Sequence, residues 1–223
     1  MVAVLDKINN IKLKNLTGGG CCSLINYGSM NDVLYPFTYT FIPGNVYGII
    51  GDCGMGGWAL SYILAGKMNP NGGFLTINEE KDNSYELANH SFYVGADSGK
   101  KNILGKSFSV SKQIELGIKS GKSFLKDIDT IRKSFSLSEE RFTRDFSYVS
   151  GERWKASMAI GFSMGKTIYC FPWVNTRWIV QHAEHLKVCL STLINYGAII
   201  VIPTSSKNIM NTIVKSYISV DLE

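Results

Sequence analysis

A chain of 223 residues, 45% of them hydrophobic and 18% charged, reads as globular, with enough apolar positions for one sizeable domain or a core with one subdomain. The formal net charge of +5 comes from scattered basic residues with short clusters such as Lys100-Lys101, a pattern that does not indicate nucleic acid. The N-terminal MVAVLDKINNIKLKN is too polar for a secretory signal, and no apolar run approaches the roughly 20 residues needed to cross a bilayer.

Up to about Thr40 the chain alternates apolar and polar residues between the turn signals LTGGG and NYGSMND, so short antiparallel strands are expected. VLYPFTYTFIPGNVYGIIG then predicts an alternating strand through Phe37, Tyr39 and Phe41, a Pro-Gly turn, and a buried strand Val46–Ile50. WALSYILAG has helical spacing and stops at Gly66, a residue suited to a helix C-terminus. NPNGGFLTINEE reads as a turn and a strand, and SFYVGAD as a short strand ending in a loop. From about residue 107 to 146 the composition shifts to Lys, Ser, Asp and Glu. Apolar residues stand there at helical spacing: Val110, Ile114, Leu116, Ile118, then Phe124, Leu125, Ile128, Ile131 and Phe135. This predicts an all-helical insert. SYVSGERWKASMAIGFSMG reads as a turn plus an amphipathic helix, TIYCF as a buried strand, and WIVQHAEHLKVCLSTLINYG as a helix leading to the strand AIIVI. Strand–helix–strand alternation here implies a parallel sheet with right-handed crossovers.

Chemistry-bearing patterns are few. Cys21, Cys22, Cys53, Cys170 and Cys189 form no CxxC and no ligand spacing with the three histidines, so buried thiols in a reducing cytoplasm are expected, and no metal. The distinctive stretch is GIIGDCGMGGWALSYILAG, an apolar strand running through glycines into an apolar helix. A phosphate-binding loop needs G-x-x-x-x-G-K-S/T in that context: its backbone amides curl round phosphates, its Lys neutralises their outer oxygens, and its hydroxyl holds Mg²⁺. GDCGMGGW keeps the glycine spacing at Gly51, Gly54 and Gly56. Gly57 stands for the lysine and Trp58 for the hydroxyl, with Asp52, Cys53 and Met55 between the glycines. GIKSGKS (117–123) and GFSMGKT (161–167) supply lysine and hydroxyl but are one residue too short and lack a preceding strand.

Beyond this loop, nearly the whole chain resembles the nucleotide-binding domain of ABC transporters. VLYPFTYTFIPGNVYGIIGDCGMGGWALSYILAG is similar to that family's first strand, P-loop and helix, and NPNGGFLTINEE to the strand that follows. FSYVSGERWKASMAI stands where the signature LSGGQ and its helix belong. TIYCFPWVN falls on the Walker B strand and GAIIVIPTSS on the strand before the switch histidine. The resemblance implies one ABC ATPase-like α/β domain over 1–223, a P-loop NTPase-like core with a mostly parallel sheet. The β subdomain, with an N-terminal antiparallel sheet, and the first half of the core would occupy 1–106, the inserted helical subdomain 107–147, and the second half of the core 148–223.

The residues at the family's chemical positions differ. The Walker B Asp and the catalytic Glu fall on Cys170 and Phe171, or on Pro172 and Trp173 in an alternative register, and neither register supplies a carboxylate. The Q-loop glutamine falls near Gly95 or Ala96, the switch histidine near Pro203 or Thr204, and the D-loop acid near residues 177–179. His182 and His185 sit in the preceding helix as surface residues. In VSGER, Ser150 and Gly151 match the signature and Glu152 replaces its second glycine; Ser150 is open to two roles, contact with a partner's γ-phosphate or a plain helix N-cap. Tyr27 stands near the family's adenine-stacking aromatic, with core packing as the other role. Trp58 is expected to fill the volume of metal and phosphates. Because the lysine, the metal ligands and the water-orienting Glu act on one small charge distribution, their losses belong together.

The resemblance therefore implies a non-catalytic cassette subunit, with no cofactor in its own site and ATP and Mg at a partner's site. It would dock on a transmembrane subunit at the cytoplasmic face of the membrane through residues 95–99 and the helical insert, and pair with a competent ATPase chain rather than with itself. Two alternatives stay open: an ATP-binding or hydrolysing subunit with a lysine borrowed from elsewhere (Lys100, Lys166), or a regulatory scaffold without a transporter.

Overall fold

The computed structural model describes residues 8–24, 28–81, 84–101, 103 and 105–222. The alternating N-terminal segment forms β1 (Ile11–Leu24) and β2 (Gly28–Phe41), an antiparallel pair in register from Ile11↔Phe41 to Leu24↔Gly28, with shifts on either side of Leu16. Two long strands replace the short ones expected, because LTGGG is not a turn. Gly18, Gly19 and Gly20 lie inside β1 opposite Leu34, Val33 and Asp32. A Cβ on Gly18 would come within 2.6 Å of Ile63 Cδ1, and one on Gly19 within 2.8 Å of the Asp32 carbonyl. These glycines serve close approach rather than chain reversal.

After the Pro43-Gly44 turn come β3 (Val46–Ile50) and α1 (Gly57–Leu64), which stops at Gly66 in the left-handed region. β4 (Gly72–Ile77) returns antiparallel beside β1 and carries β5 (Glu80–Lys81) at its edge, giving a sheet of order β2-β1-β4-β5. α2 (Ser84–His90), too short to leave a periodic signal, precedes β6 (Ser91–Tyr93). The insert folds as α3 (Val110–Lys119), α4 (Ile128–Ser134) and α5 (Glu139–Phe142). Ser109, Asp127 and Ser138 cap them by accepting from Lys112, Thr130 and Arg141 N–H groups, which relieves amide donors that the first helical turn leaves unpaired.

The second half runs α6 (Arg153–Ser163), β7 (Ile168–Cys170), α7 (Thr176–Asn195), β8 (Ile199–Thr204), α8 (Lys207–Ile213) and β9 (Ile218–Asp221). The parallel sheet has the order β6-β7-β8-β3-β9. It is covered on both faces, as parallel sheets require. Ile200, Ile202 and Tyr169 pack towards the helical insert, α6 and α7; Ile199, Val201 and Cys170 pack on the other face with α1 and the antiparallel sheet. One expectation is corrected here. α6 is not amphipathic: Lys155 through Ser163 are all buried, because one side meets α3, where Gly117 abuts Ser163, and the other meets the sheet, where Gly161 abuts Phe92.

Candidate functional site

The chain leaves the C-terminal end of β3 into residues 51–56, beside the C-terminal ends of β7 and β8. Gly51 N–H donates to the Thr204 carbonyl at 3.0 Å and Met55 N–H to the Asp52 carbonyl at 3.1 Å. Gly54 and Gly56 take φ values of 95° and 89°, which a side chain would resist. The strand, glycine loop and helix expected from the sequence are all present, with Asp52 and Met55 exposed and Gly56 and Gly57 buried.

Two amides where the loop enters α1 are already engaged by a side chain. Asp32 on β2, 1% exposed, accepts from Gly56 N–H through Oδ1 at 3.1 Å and from Ala59 N–H through Oδ2 at 2.8 Å. Its neighbours hold the strand against the loop: Val33 N–H donates to the Gly54 carbonyl at 3.1 Å, and a Cβ on Gly56 would lie 2.5 Å from Leu34 Cα. Sequence reasoning missed Asp32. A lone carboxylate within an otherwise apolar alternating strand, NDVLYPF, was the only signal available.

Apolar groups pack beside the loop, while Asp52 and Met55 stay exposed. Trp58, half-buried, stacks on Tyr62 with ring centroids 4.5 Å apart and, like Met30 and Cys53, packs against Trp173. Cys53 Sγ lies 3.0 Å from Met30 Sδ; burial, then the charges of Asp32 and Asp52, push its thiol pKa up. Trp173 is 6% exposed and donates its indole N–H to the Gly51 carbonyl at 3.0 Å. A Cβ on Gly57 would stand 2.9 Å from Pro203 Cβ and 3.2 Å from Trp173 Cδ1. Of the two registers for the Walker B pair, the second brings a side chain to the loop. Cys170 is buried among the residues packed on α1, where burial raises its pKa strongly. Phe171 packs against Trp154, centroids 5.1 Å apart, and Pro172 is half-buried. Tyr27 lies outside the described residues.

The other positions singled out are dispersed. Gly95 N–H donates to Ser157 Oγ, which donates in turn to the Ala96 carbonyl, both at 2.8 Å. Thr204 is fully buried, its hydroxyl on the Val174 carbonyl. Ser150 and Gly151 are exposed. The residue flanking α6 is Glu152, and no side chain caps that helix, so Ser150 is not the N-cap. Glu152 turns towards the insert: Oε2 accepts from Ser138 N–H at 3.0 Å, and Oε1 accepts from Lys155 Nζ at 3.1 Å. His182, half-buried, and His185, exposed, line a pocket of about 180 Å³ together with Ser150, Gly151 and Arg153. Among the cysteines whose side chains are described, Cys21 is exposed and Cys53 half-buried, while Cys170 and Cys189 match the buried thiols expected. Among the described residues, no cluster of three or more His, Cys, Asp or Glu is placed to hold a metal ion.

Of the two lysines considered as substitutes, Lys166 is directed away from the loop. Lys166 precedes β7 and so lies at the opposite end of the sheet, roughly 10 Å of strand away, with Nζ on the Ala88 and Asn89 carbonyls at 2.8 and 2.9 Å. Lys100 is exposed beyond β6. Burial first, then the charges of Lys122 and Lys67, lower the Lys166 pKa from 10.5 to about 8. After reductive methylation with a ¹³C label, the Lys166 signal is therefore expected to titrate below the other lysines. The folded value lies below the unfolded one, so the group weakens the fold at neutral pH, and that cost is relieved as pH rises from about 8 towards 10.5.

No family model matches the sequence, and no curated protein sequence matches it. Solved structures do. A Pyrococcus furiosus protein named as an ABC transporter ATP-binding protein superposes with a TM-score of 0.64 at 16% identity, covering 96% of this chain and 98% of that one. cbiO1 from Clostridium perfringens, described as part of the ABC transporter complex cbiONQ, gives 0.62 at 16% identity, over 90% and 80% of the two chains. A dimeric bacterial ABC transporter cassette gives 0.64 at 16% identity over 95% and 94%. At this level of identity the likeness carries the fold, which is that of the ATP-binding cassette.

Proposed function

We propose that this chain, an ATP-binding cassette in fold, is a non-catalytic cassette subunit of an ABC transporter. It docks on a transmembrane subunit at the cytoplasmic face of the membrane and pairs with a competent ATPase chain. One observation carries the reading: the strand end where a metal-holding acid is needed presents Trp173, whose indole is bonded to the loop's own Gly51 carbonyl. An indole N–H donates only and cannot ligate a metal. With glycine at 57 and tryptophan at 58, the loop also lacks a cation to neutralise phosphate and a hydroxyl for Mg²⁺. Magnesium-bound triphosphate does not fit residues of this kind, so ATP and Mg belong to the partner's site.

Ser150 and Gly151, exposed and free of a capping role, are the residues this chain would offer to that partner. Residues 95–99 and the helical insert would face the membrane subunit. No helix among the described residues is long and apolar enough to cross a membrane, which fits a role reached through that subunit.

Calorimetric titration of the purified chain with Mg-ATP is expected to show no saturable heat, and phosphate release is expected to stay at the buffer rate. Saturable, magnesium-dependent binding would instead favour an ATP-binding subunit with atypical motifs. Affinity purification from the native membrane is expected to recover a polytopic protein together with a second cassette chain. Recovery of neither would leave a scaffold without a transporter.

A further inference from the structure

Resting on that reading, we propose that Asp32 is the loop's own ligand, an intramolecular carboxylate seated on amides that a phosphate would otherwise take. Two facts set it apart from an ordinary strand carboxylate. It is 1% exposed, and none of the ion pairs among the described residues includes it. A carboxylate withdrawn from water without a cation must be compensated by directed donors. Those donors are the Gly56 and Ala59 amides at 3.1 and 2.8 Å, at the positive end of α1.

The arrangement copies a helix cap with the parts redistributed. Gly56 is the N-cap residue, takes φ 89°, and has no side chain to offer the helix. The missing acceptor arrives from β2, 24 residues earlier in the chain. Its two oxygens bridge the N-cap amide and the amide three residues on, the span that a capping side chain covers only in part. Delivery is rigid: Asp32 is paired with Gly20 in the β1–β2 ladder, and Val33 N–H is fastened to the Gly54 carbonyl. A carboxylate held this way competes for the two amides intramolecularly, without the association cost that a free phosphate meets. An incoming anion must lift β2 or displace Asp32 with no lysine to reward it. The glycine loop thus persists as a receptor for an internal anion, which accounts for the retention of its glycines without its cation.

Chemical rescue tests this assignment without nucleotide. Asp32→Gly removes the carboxylate and leaves a cavity of its size. It is expected to lower Tm by about 5 °C or more, and sodium formate or inorganic phosphate is expected to raise the Tm of the variant saturably. The wild-type chain, with Asp32 on the Gly56 and Ala59 amides, should gain no more than the general salt effect seen with chloride at equal ionic strength. Asp32→Asn fills the same space with one oxygen and one misplaced donor; it is expected to melt below wild type and to show no rescue. Equal melting of wild type and Asp32→Asn, or equal response of wild type and Asp32→Gly to formate, overturns the proposal. If Asp32→Gly does not fold in chloride, its refolding yield in formate is read instead, with no gain counting against it. Binding of Mg-ATP by the wild-type chain would defeat the non-catalytic reading without touching the rescue result. A missing rescue in a chain that binds no nucleotide would defeat the role of Asp32 alone.

Discussion

Gly56→Ala is expected to destabilise the chain by about 2–5 kcal/mol, the sum of two separate costs. Gly56 sits at φ 89°, in the left-handed half of the map, where an L side chain costs about 1–2 kcal/mol. The added Cβ would then stand 2.5 Å from Leu34 Cα and 2.9 Å from Leu34 N and Cβ. Those are strand atoms, not the end of a flexible side chain, so β2 must move, and overpacking of this kind costs about 1–3 kcal/mol. Displacement of β2 would also stretch the Asp32 bonds to Gly56 and Ala59 and the Val33–Gly54 bond. Gly44→Ala isolates the first cost, since Gly44 has φ 77° and nothing within 4 Å of a Cβ; about 1–2 kcal/mol is expected there. Urea unfolding measures both. Equal losses at the two positions would mean that β2 yields freely, and the clamped loop described above would be wrong.

Much of this architecture is legible in the sequence because it is local. Val46–Ile50, the glycine turn and WALSYILAG carry their strand, loop and helix in consecutive residues, and the helical spacing of Val110 through Phe135 sets the insert apart in the same way. What is not legible depends on distant partners. Asp32 meets its amides 24 and 27 residues away, and Trp173 meets Gly51 across 122. The glycines of LTGGG look like a turn because the side chain that presses on Gly18, Ile63 of α1, comes far later in the chain. β9 and α8 are short, at four and seven residues, and their apolar positions make sense only once β3 is beside them. At the candidate site the sequence shows that residues 57 and 58 carry neither lysine nor hydroxyl; the structure adds the Asp32 carboxylate on the Gly56 and Ala59 amides and the Trp173 indole on the Gly51 carbonyl.

The same distinction applies to the signature-like loop, where Glu152→Ala is expected to cost about 3 kcal/mol at pH 7. Lys155 is a buried cation, its side chain 6% exposed, and Glu152 is its ion-pair partner at 3.1 Å with a side chain 21% exposed. Removal of one member of a buried pair strands the other, typically at 3–5 kcal/mol; the lower end applies because Lys155 Nζ keeps the Ser136 carbonyl at 2.6 Å. The Ser138 amide and hydroxyl lose an acceptor as well, so the loss falls on the junction between α6 and the helical insert. Glu152→Gln retains the shape and an acceptor for Ser138 but not the charge, and should fall between the two. Acid titration supplies the sign. Burial raises the Glu152 pKa, but the Ser138 N–H and then Lys155 outweigh it, and the net value lies below 4.5. A carboxylate with a depressed folded pKa adds stability above its unfolded value and loses it as pH falls through the folded one. The gap between wild type and Glu152→Ala should therefore be full at pH 7 and shrink below about pH 4.5. A gap that does not change with pH would assign the residue a packing role rather than a charged one. The same geometry predicts that Glu152→Gly loosens the insert without creating a nucleotide contact, because the carboxylate it removes faces Ser138 and Lys155 rather than the exposed surface at Ser150 and Gly151.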